Sequence, residues 1–193
     1  LNASDNLFYS YYNNYDPTIY APTYEILNNY YEPGNIIKDS TNVYNYGFGF
    51  FFVCLANIPV WYQVTYQGNS AGMTTSDLIM MKAECLIRTN KVNEGMDEIN
   101  KIRIRRIAPY SPLVASTEAQ AMAYLQKVSR IEFLFTWRNF VDLKRWNKEG
   151  IYPVAVARTI NGTTYSLPAN SKLWVFPFPQ SATQFNENLT QNY

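Results

Sequence analysis

Histidine is absent from the 193-residue chain. That absence removes the commonest general base and the commonest metal ligand. Ser-His-Asp and Cys-His nucleophile systems are therefore excluded within the chain. Charge is also scarce: Asp, Glu, Lys and Arg make up 16% of residues, well below the usual quarter. Sixteen basic residues face fifteen acidic ones, a net charge of +1, which argues against a nucleic-acid footprint and against an acidic tail. Only two cysteines occur, Cys54 and Cys85, too few for a disulfide framework. Both sit in apolar runs and read as buried thiols acting as small hydrophobes. No run of eighteen apolar residues exists, so no segment reads as a membrane span. The 47% hydrophobic content excludes disordered and collagen-like classes, and the length suffices for about one domain with a sizeable core.

Tyrosine and asparagine fill the space that charge leaves. There are 17 Tyr, 11 Phe and 4 Trp. Twelve of the Tyr fall in residues 1–75, where Lys38 is the lone basic residue against five acids. Residues 76–193 hold 15 basic and 10 acidic residues. This asymmetry predicts two regions with different surroundings. A surface rich in Tyr and Asn and poor in charge suits neutral, hydroxyl-rich matter, and carbohydrate fits that description. Flat rings cover sugar C–H faces, while phenols and amides meet hydroxyls.

The first region reads as loops with short strands. Asp16-Pro17, Ala21-Pro22 and Pro33-Gly34-Asn35 signal turns. The apolar run Gly47 to Leu55 and the alternating run Val60 to Tyr66 predict a strand pair. Trp61, Tyr62 and Tyr66 on that second strand, with Tyr44 and Tyr46 in the polar loop before the pair, are the candidate ligand-binding residues. Tyr30-Tyr31 and Tyr9, Tyr11, Tyr12 form further clusters.

Helices follow. Ser76 is an N-cap candidate with Asp77 in the first turn, and the run Leu78 to Ile87 is apolar almost all round, which predicts an enclosed helix. Arg88 to Lys91 makes a turn. A second helix runs from about Val92 to Arg106, so the two form an antiparallel hairpin of tetratricopeptide-like type. Thr117 and Gln120 make a capping-box pattern, and a long helical stretch runs on to about Trp146; Ala121, Leu125, Val128, Ile131 and Phe135 form one apolar stripe, and Leu134, Trp137, Val141, Leu143 and Trp146 continue it, with a kink allowed between. Gly150 stops it. Asn161-Gly162 signals a hairpin, and the prolines near Phe176 predict an extended tail.

Hydrolysis by paired carboxylates finds no support, because the helical acids lie near basic residues, which lower rather than raise a carboxyl pKa. The expectation is a protein that is not an enzyme and holds no cofactor. With no histidine and no EF-hand pattern, no metal ligand set is legible, although a carbonyl-built calcium site stays open. Arg103 to Arg106 reads as a charge complement to a helix C-terminus.

Three stretches together resemble the C-terminal part of the SusD/RagB family, nutrient-binding lipoproteins on the surface of Bacteroidetes-type bacteria. The first runs from Asp77 to Leu86 and on through Glu94 to Arg103, with an Asn-x-x-Arg pattern at Asn100 and Arg103. The second joins Arg130-Ile131-Glu132-Phe133 to Asp142-Leu143-Lys144-Arg145-Trp146. The third is Phe176-Pro177-Phe178-Pro179 followed by Asn186 to Asn192. Val128, Ser129, Thr136, Trp137, Asn139 and Glu187 depart from the family pattern.

The resemblance implies a mainly α, SusD-like fold: a tetratricopeptide-like helix hairpin plus a long helix, with small β-hairpins and long loops. It implies a C-terminal portion of a longer protein, with an aromatic part over 1–75 and a helical part over 76–193. Leu1 then reads as a processing site, a proteolytic end or a chosen boundary. The whole protein would capture glycans at the outer-membrane surface and pass them to a SusC-like TonB-dependent transporter. Its only membrane attachment would be an N-terminal lipid anchor absent from this chain. Glu84 on the enclosed helix needs a partner, and Asn100 with Arg103 is the expected one. Arg130, Glu132, Asp142 and Arg145 are expected to form a second structural network.

Overall fold

Residues 6–8, 19–20, 25–36, 61–62, 72–134, 136–185 and 188–190 are described in a computed structural model of the chain. Two compact units divide it, Leu1–Asn139 and Phe140–Tyr193. The compositional shift near residue 75 falls inside the first unit.

Helix α1 (Thr75–Arg88) begins two residues earlier than a cap at Ser76 would place it. Thr74 caps it, accepting from the Asp77 amide, while the Asp77 carboxylate accepts from the Thr74 amide at 2.8 Å and hydroxyl at 2.7 Å. This reciprocal box satisfies orphan donors that Ser76 was expected to serve. At the other end Asn90 takes a left-handed φ of 62°, and the Lys91 amide reaches back to the Leu86 carbonyl at 2.9 Å. Helix α2 (Val92–Arg103) then returns antiparallel to α1. It ends short of Arg106.

The α1–α2 contact is close because Gly95 has no side chain. A β-carbon there would stand 2.5 Å from Cγ1 of Ile87 and 3.0 Å from the Ala83 carbonyl oxygen. Met80, Ala83 and Ile87 from α1 and Met96, Ile99 and Ile102 from α2 are buried. Ala121, Met122, Leu125 and Val128 of helix α3 (Glu118–Glu132) complete this core. Thr117 caps α3 by accepting from the Gln120 amide at 3.2 Å, and Gln120 Oε1 accepts from the Ser116 amide.

The outer side of α1 differs from the enclosed helix expected. Leu78 and Cys85 are exposed: α2 and α3 supply the main packing on α1, and these two side chains lie away from it. Cys54 lies outside the described residues. The expected long helix is two. Phe133 and Leu134 turn out of α3, and the Phe133 carbonyl accepts from the Thr136 amide at 3.1 Å and hydroxyl at 2.8 Å. Helix α4 (Trp137–Glu149) starts afresh. Trp137 and Val141, assigned to an apolar stripe by periodicity, are exposed, whereas Leu143 and Trp146 are buried.

Short antiparallel strand pairs join the first unit. β1 (Asn6–Phe8) pairs with β4 (Met73–Thr74), and β2 (Ile19–Tyr20) pairs with β3 (Trp61–Tyr62). The strand expected over Gly47 to Leu55 lies outside the described residues. A π-helical turn, Ile26–Tyr30, and Tyr31 pack with Ile131 and Leu134 in a smaller cluster.

In the second unit, β5 (Val156–Ile160) and β6 (Thr163–Leu167) form the hairpin expected at Asn161-Gly162. Both turn residues have positive φ, 49° and 78°, as a two-residue turn matching strand twist requires. Gly150 stops α4 with φ 74°. Asn147 clasps Val154, giving to its carbonyl at 3.0 Å and taking from its amide at 2.7 Å. Trp174 is buried beside Phe140, its indole N–H giving to the Pro168 carbonyl at 2.8 Å. The tail passes through a 3-10 turn at Lys172–Trp174 and ends in the short helix α5 (Gln180–Gln184).

Two tests follow from this packing. Alanine at Gly95 gains about 1 kcal/mol of helix propensity, but overpacking costs about 1–3 kcal/mol and the Ala83 carbonyl is backbone that cannot swing aside. Gly95→Ala is expected to lower stability in urea unfolding, and a more stable variant would refute the close contact. Glu98 in α2 lies between Lys82 at 2.7 Å and Lys101 at 2.8 Å. Burial pushes its carboxyl pKa up, but the bonds and charges of Lys101 and Lys82 outweigh this and hold it below the ordinary 4.5. Its contribution to stability is thus complete above the unfolded value and disappears as pH falls through the lower folded one. Unfolding midpoints measured from pH 7 to 3 should decline less steeply in Glu98→Gln than in the parent.

Candidate functional site

The segment after the π-helical turn meets the C-terminal end of α2 through backbone bonds. Ala108 gives to the Gly34 carbonyl and Ile36 to the Arg106 carbonyl, each at 2.8 Å. Gly34 has φ 75°, and a β-carbon there would collide with the Ala108 carbonyl oxygen. This junction brings Glu32 against Arg103, residues 71 apart in sequence. The guanidinium holds Glu32 in a fork, Nη2 to Oε2 at 2.7 Å and Nε to Oε1 at 3.0 Å. Its Nη1 gives to Asn100 Oδ1 at 2.7 Å and to the Ser111 carbonyl at 3.0 Å. Tyr110 offers its ring face, 5.7 Å from the guanidinium carbon. Asn100 in turn pins Leu113 through both its amide and its carbonyl.

A second node lies on the same wall. Glu132 accepts from the Ser76 hydroxyl at 2.7 Å and from Arg106 at 2.8 and 3.0 Å. Between the nodes is a cleft lined by Tyr30, Glu32, Asn35, Arg106, Lys127 and Glu132, among others. It encloses about 310 Å³ with the solvent at its mouth included. Both of its carboxylates are already engaged, Glu32 by Arg103 and Glu132 by Arg106, so few of its charges are left for a sugar ring. Among the described residues no group of three acids or cysteines could hold a metal ion. No helix among them is long and apolar enough to cross a membrane.

The expected partnership of Glu84 with Asn100 and Arg103 does not form. The Lys82–Glu98 bridge fixes the hairpin register, which sets Glu84 level with about residue 96. Arg103 lies seven residues beyond, about 10 Å along the axis. Glu84 is bonded instead by Arg88, one turn on, at 2.8 Å. The second expected network also divides. Arg130 gives to Asn139 Oδ1 at 2.9 Å, and the Asn139 amide gives back to the Arg130 carbonyl. Burial pulls the Arg130 pKa down, with Tyr30 and Glu25 opposing. Glu132 belongs to Arg106, while Asp142 pairs with Arg145 at 3.2 Å within α4.

Of the aromatic candidates, Trp61 and Tyr62 form β3, and the register sets Tyr20 opposite Trp61 and Ile19 opposite Tyr62. Tyr20 was not singled out by sequence, since a pairing partner 41 positions away leaves no local signal. Tyr44, Tyr46 and Tyr66 lie outside the described residues, as do Tyr9, Tyr11 and Tyr12. Tyr31 is core, not surface: it is buried, and burial pushes its phenol up to about 12. Glu32 was not singled out by sequence, and Arg106 and Asn139 were noted there without the partners they have here.

The model of the SusD family matches residues 4–193. The chain belongs to the SusD family. A solved SusD-like protein from Bacteroides fragilis NCTC 9343 is similar at 22% identity and a TM-score of 0.46. The match covers 70% of this chain and 30% of that one. No curated protein matches. The mainly helical architecture, with its antiparallel helix hairpin and small two-stranded sheets, is the one expected of a SusD-like chain.

The Arg103 node has a direct test. Arg103→Met strands the Glu32 carboxylate and leaves the Ser111 carbonyl without its donor, at an expected cost of about 3 kcal/mol or more in urea unfolding. Arg103→Lys cannot make the fork and is expected to fall between the two. A lysine variant as stable as the parent would remove the fork from the account.

Proposed function

We propose that this chain is part of a glycan-binding protein at the bacterial outer-membrane surface, where it captures polysaccharide or oligosaccharide for uptake through a SusC-like TonB-dependent transporter. Membership of the SusD family over residues 4–193 is the observation that carries the reading. The composition agrees with it: 17 Tyr and 4 Trp against 16% charge suit a neutral, hydroxyl-rich ligand. The mechanism is reversible binding by ring stacking and hydrogen bonding, with no covalent step. Trp61, Tyr62, Tyr66, Tyr44 and Tyr46 are the proposed contacts. Glu84, Asn100, Arg103, Arg130, Glu132, Asp142 and Arg145 are assigned structural work, because each is bonded to a neighbour in its own unit.

A second reading has its own support. The polar groups of the described helical region are spent largely on one another, as in a scaffold that docks a partner while the sugar site lies elsewhere in a longer protein. Calorimetry of the chain against a panel of polysaccharides, with Trp61→Ala beside it, separates the two. Saturable binding that weakens in the variant is the expected result. Binding to no member of the panel would leave the scaffold reading standing.

A further inference from the structure

In the second unit, Phe176 is 69% exposed although its ring is placed by a contact. It lies 5.6 Å from the ring of Phe140 on α4, centre to centre. The Lys144 ammonium, one turn on, stands 6.0 Å from the centre of the Phe140 ring. Two rings and a cation are thus adjacent in space. Helix α4 extends the patch: Val141, Lys144 and Lys148 are spaced three and four apart, and all three are exposed. Leu173 and Val175, on either side of the buried Trp174, are exposed as well. The charge here is one-sided. The described carboxylates of this unit are Asp142 and Glu149, and Arg145 holds both, at 3.2 and 3.4 Å. Lys144 and Lys148 have no carboxylate partner among the described residues.

We infer that this face of the second unit docks on an anionic lipid bilayer, with Phe176 at the headgroup boundary and Lys144 and Lys148 meeting lipid phosphates. A bilayer supplies both complements at once, negative charge at its surface and acyl chains just beneath. Lysine stems lie along apolar surface while their ammonium groups reach outward, and aromatic rings settle at the boundary between the two media. A purely acidic segment would answer the lysines and leave the rings in water. A neutral glycan would do the reverse. Two lysines and a few apolar side chains make a weak, reversible contact, suited to orienting a protein that is held at the surface by other means. The inference goes beyond the glycan reading and does not depend on it.

The test is co-sedimentation of the full chain with vesicles of phosphatidylcholine, alone and mixed with phosphatidylglycerol. The chain is expected to partition onto the mixed vesicles, far less onto the neutral ones, and to come off as salt is raised. Lys144→Gln and Lys148→Gln are each expected to weaken partitioning about fivefold, and about thirtyfold together. Both side chains are exposed, so circular dichroism should show these variants folded. Phe176→Ala is expected to weaken it about tenfold. Lys91→Gln, at the α1–α2 turn, should leave it unchanged. Equal partitioning of the parent and the double lysine variant would overturn the docking surface. So would equal binding to neutral and mixed vesicles, a loss in Lys91→Gln as large as in Lys144→Gln, or no vesicle binding at all. Binding of soluble polyglutamate without vesicle binding would assign the patch to an acidic protein segment instead, and a dimer abolished by Phe176→Ala without vesicle binding would assign it to a second copy. None of these failures touches the glycan reading, which the polysaccharide calorimetry decides.

Discussion

One buried guanidinium organises the first unit. The Arg103 side chain is only 4% exposed, and a cation so placed must be answered on several sides at once. Glu32 answers from the segment before the helices, Asn100 from one turn back in α2, and the Ser111 carbonyl from the loop ahead. Asn100 passes the constraint on to Leu113. Three separate stretches of chain are therefore located by one side chain. The adjoining Glu132 node does the same for α1 and α3, through Ser76 and Arg106. Arginine suits the central position because its planar fork serves a carboxylate with one edge and two oxygens with the other.

The helices were legible because their signals are local. Caps, apolar spacing of three and four, and glycine or asparagine stops all act within a turn or two, and α1, α2 and α3 lie within a few residues of where these place them. Asn161-Gly162 is equally local and gave its hairpin correctly. The misreadings share a cause. Periodicity put Trp137 and Val141 on a buried stripe, yet it cannot tell which apolar stripe will find a neighbour. Leu78 and Cys85 show the same on α1. The break before α4 was hidden because no proline or glycine marks the place.

The polar architecture was legible by residue type and not by pairing. The motifs of the family resemblance picked out Glu84, Asn100, Arg103, Arg130 and Glu132 as structural polar residues, and each does have a partner. Who pairs with whom depends on the hairpin register and on contacts as distant as Glu32 with Arg103. Neither is written in local spacing. Asn139 illustrates the point: a departure from the family pattern, it meets Arg130 with both the oxygen and the nitrogen of its amide in a reciprocal bond. The aromatic candidates are a different case, for their significance depends on exposure, and exposure is a property of the folded surface alone.

The β5–β6 hairpin has a consequence for how copies of this protein meet. Among the described residues it is a sheet of two strands, so each strand carries an outer row of backbone donors and acceptors with no ladder partner. Such an edge is a template on which another chain could add a strand, with the exposed Ile160 and Tyr165 as apolar encouragement. The hairpin resists in three ways. Five residues per strand give an incoming chain little length to grip. A two-stranded ribbon twists strongly and offers no flat edge. Arg158, directly across from Tyr165, carries a positive charge that a second copy stacked in register would have to meet with its own.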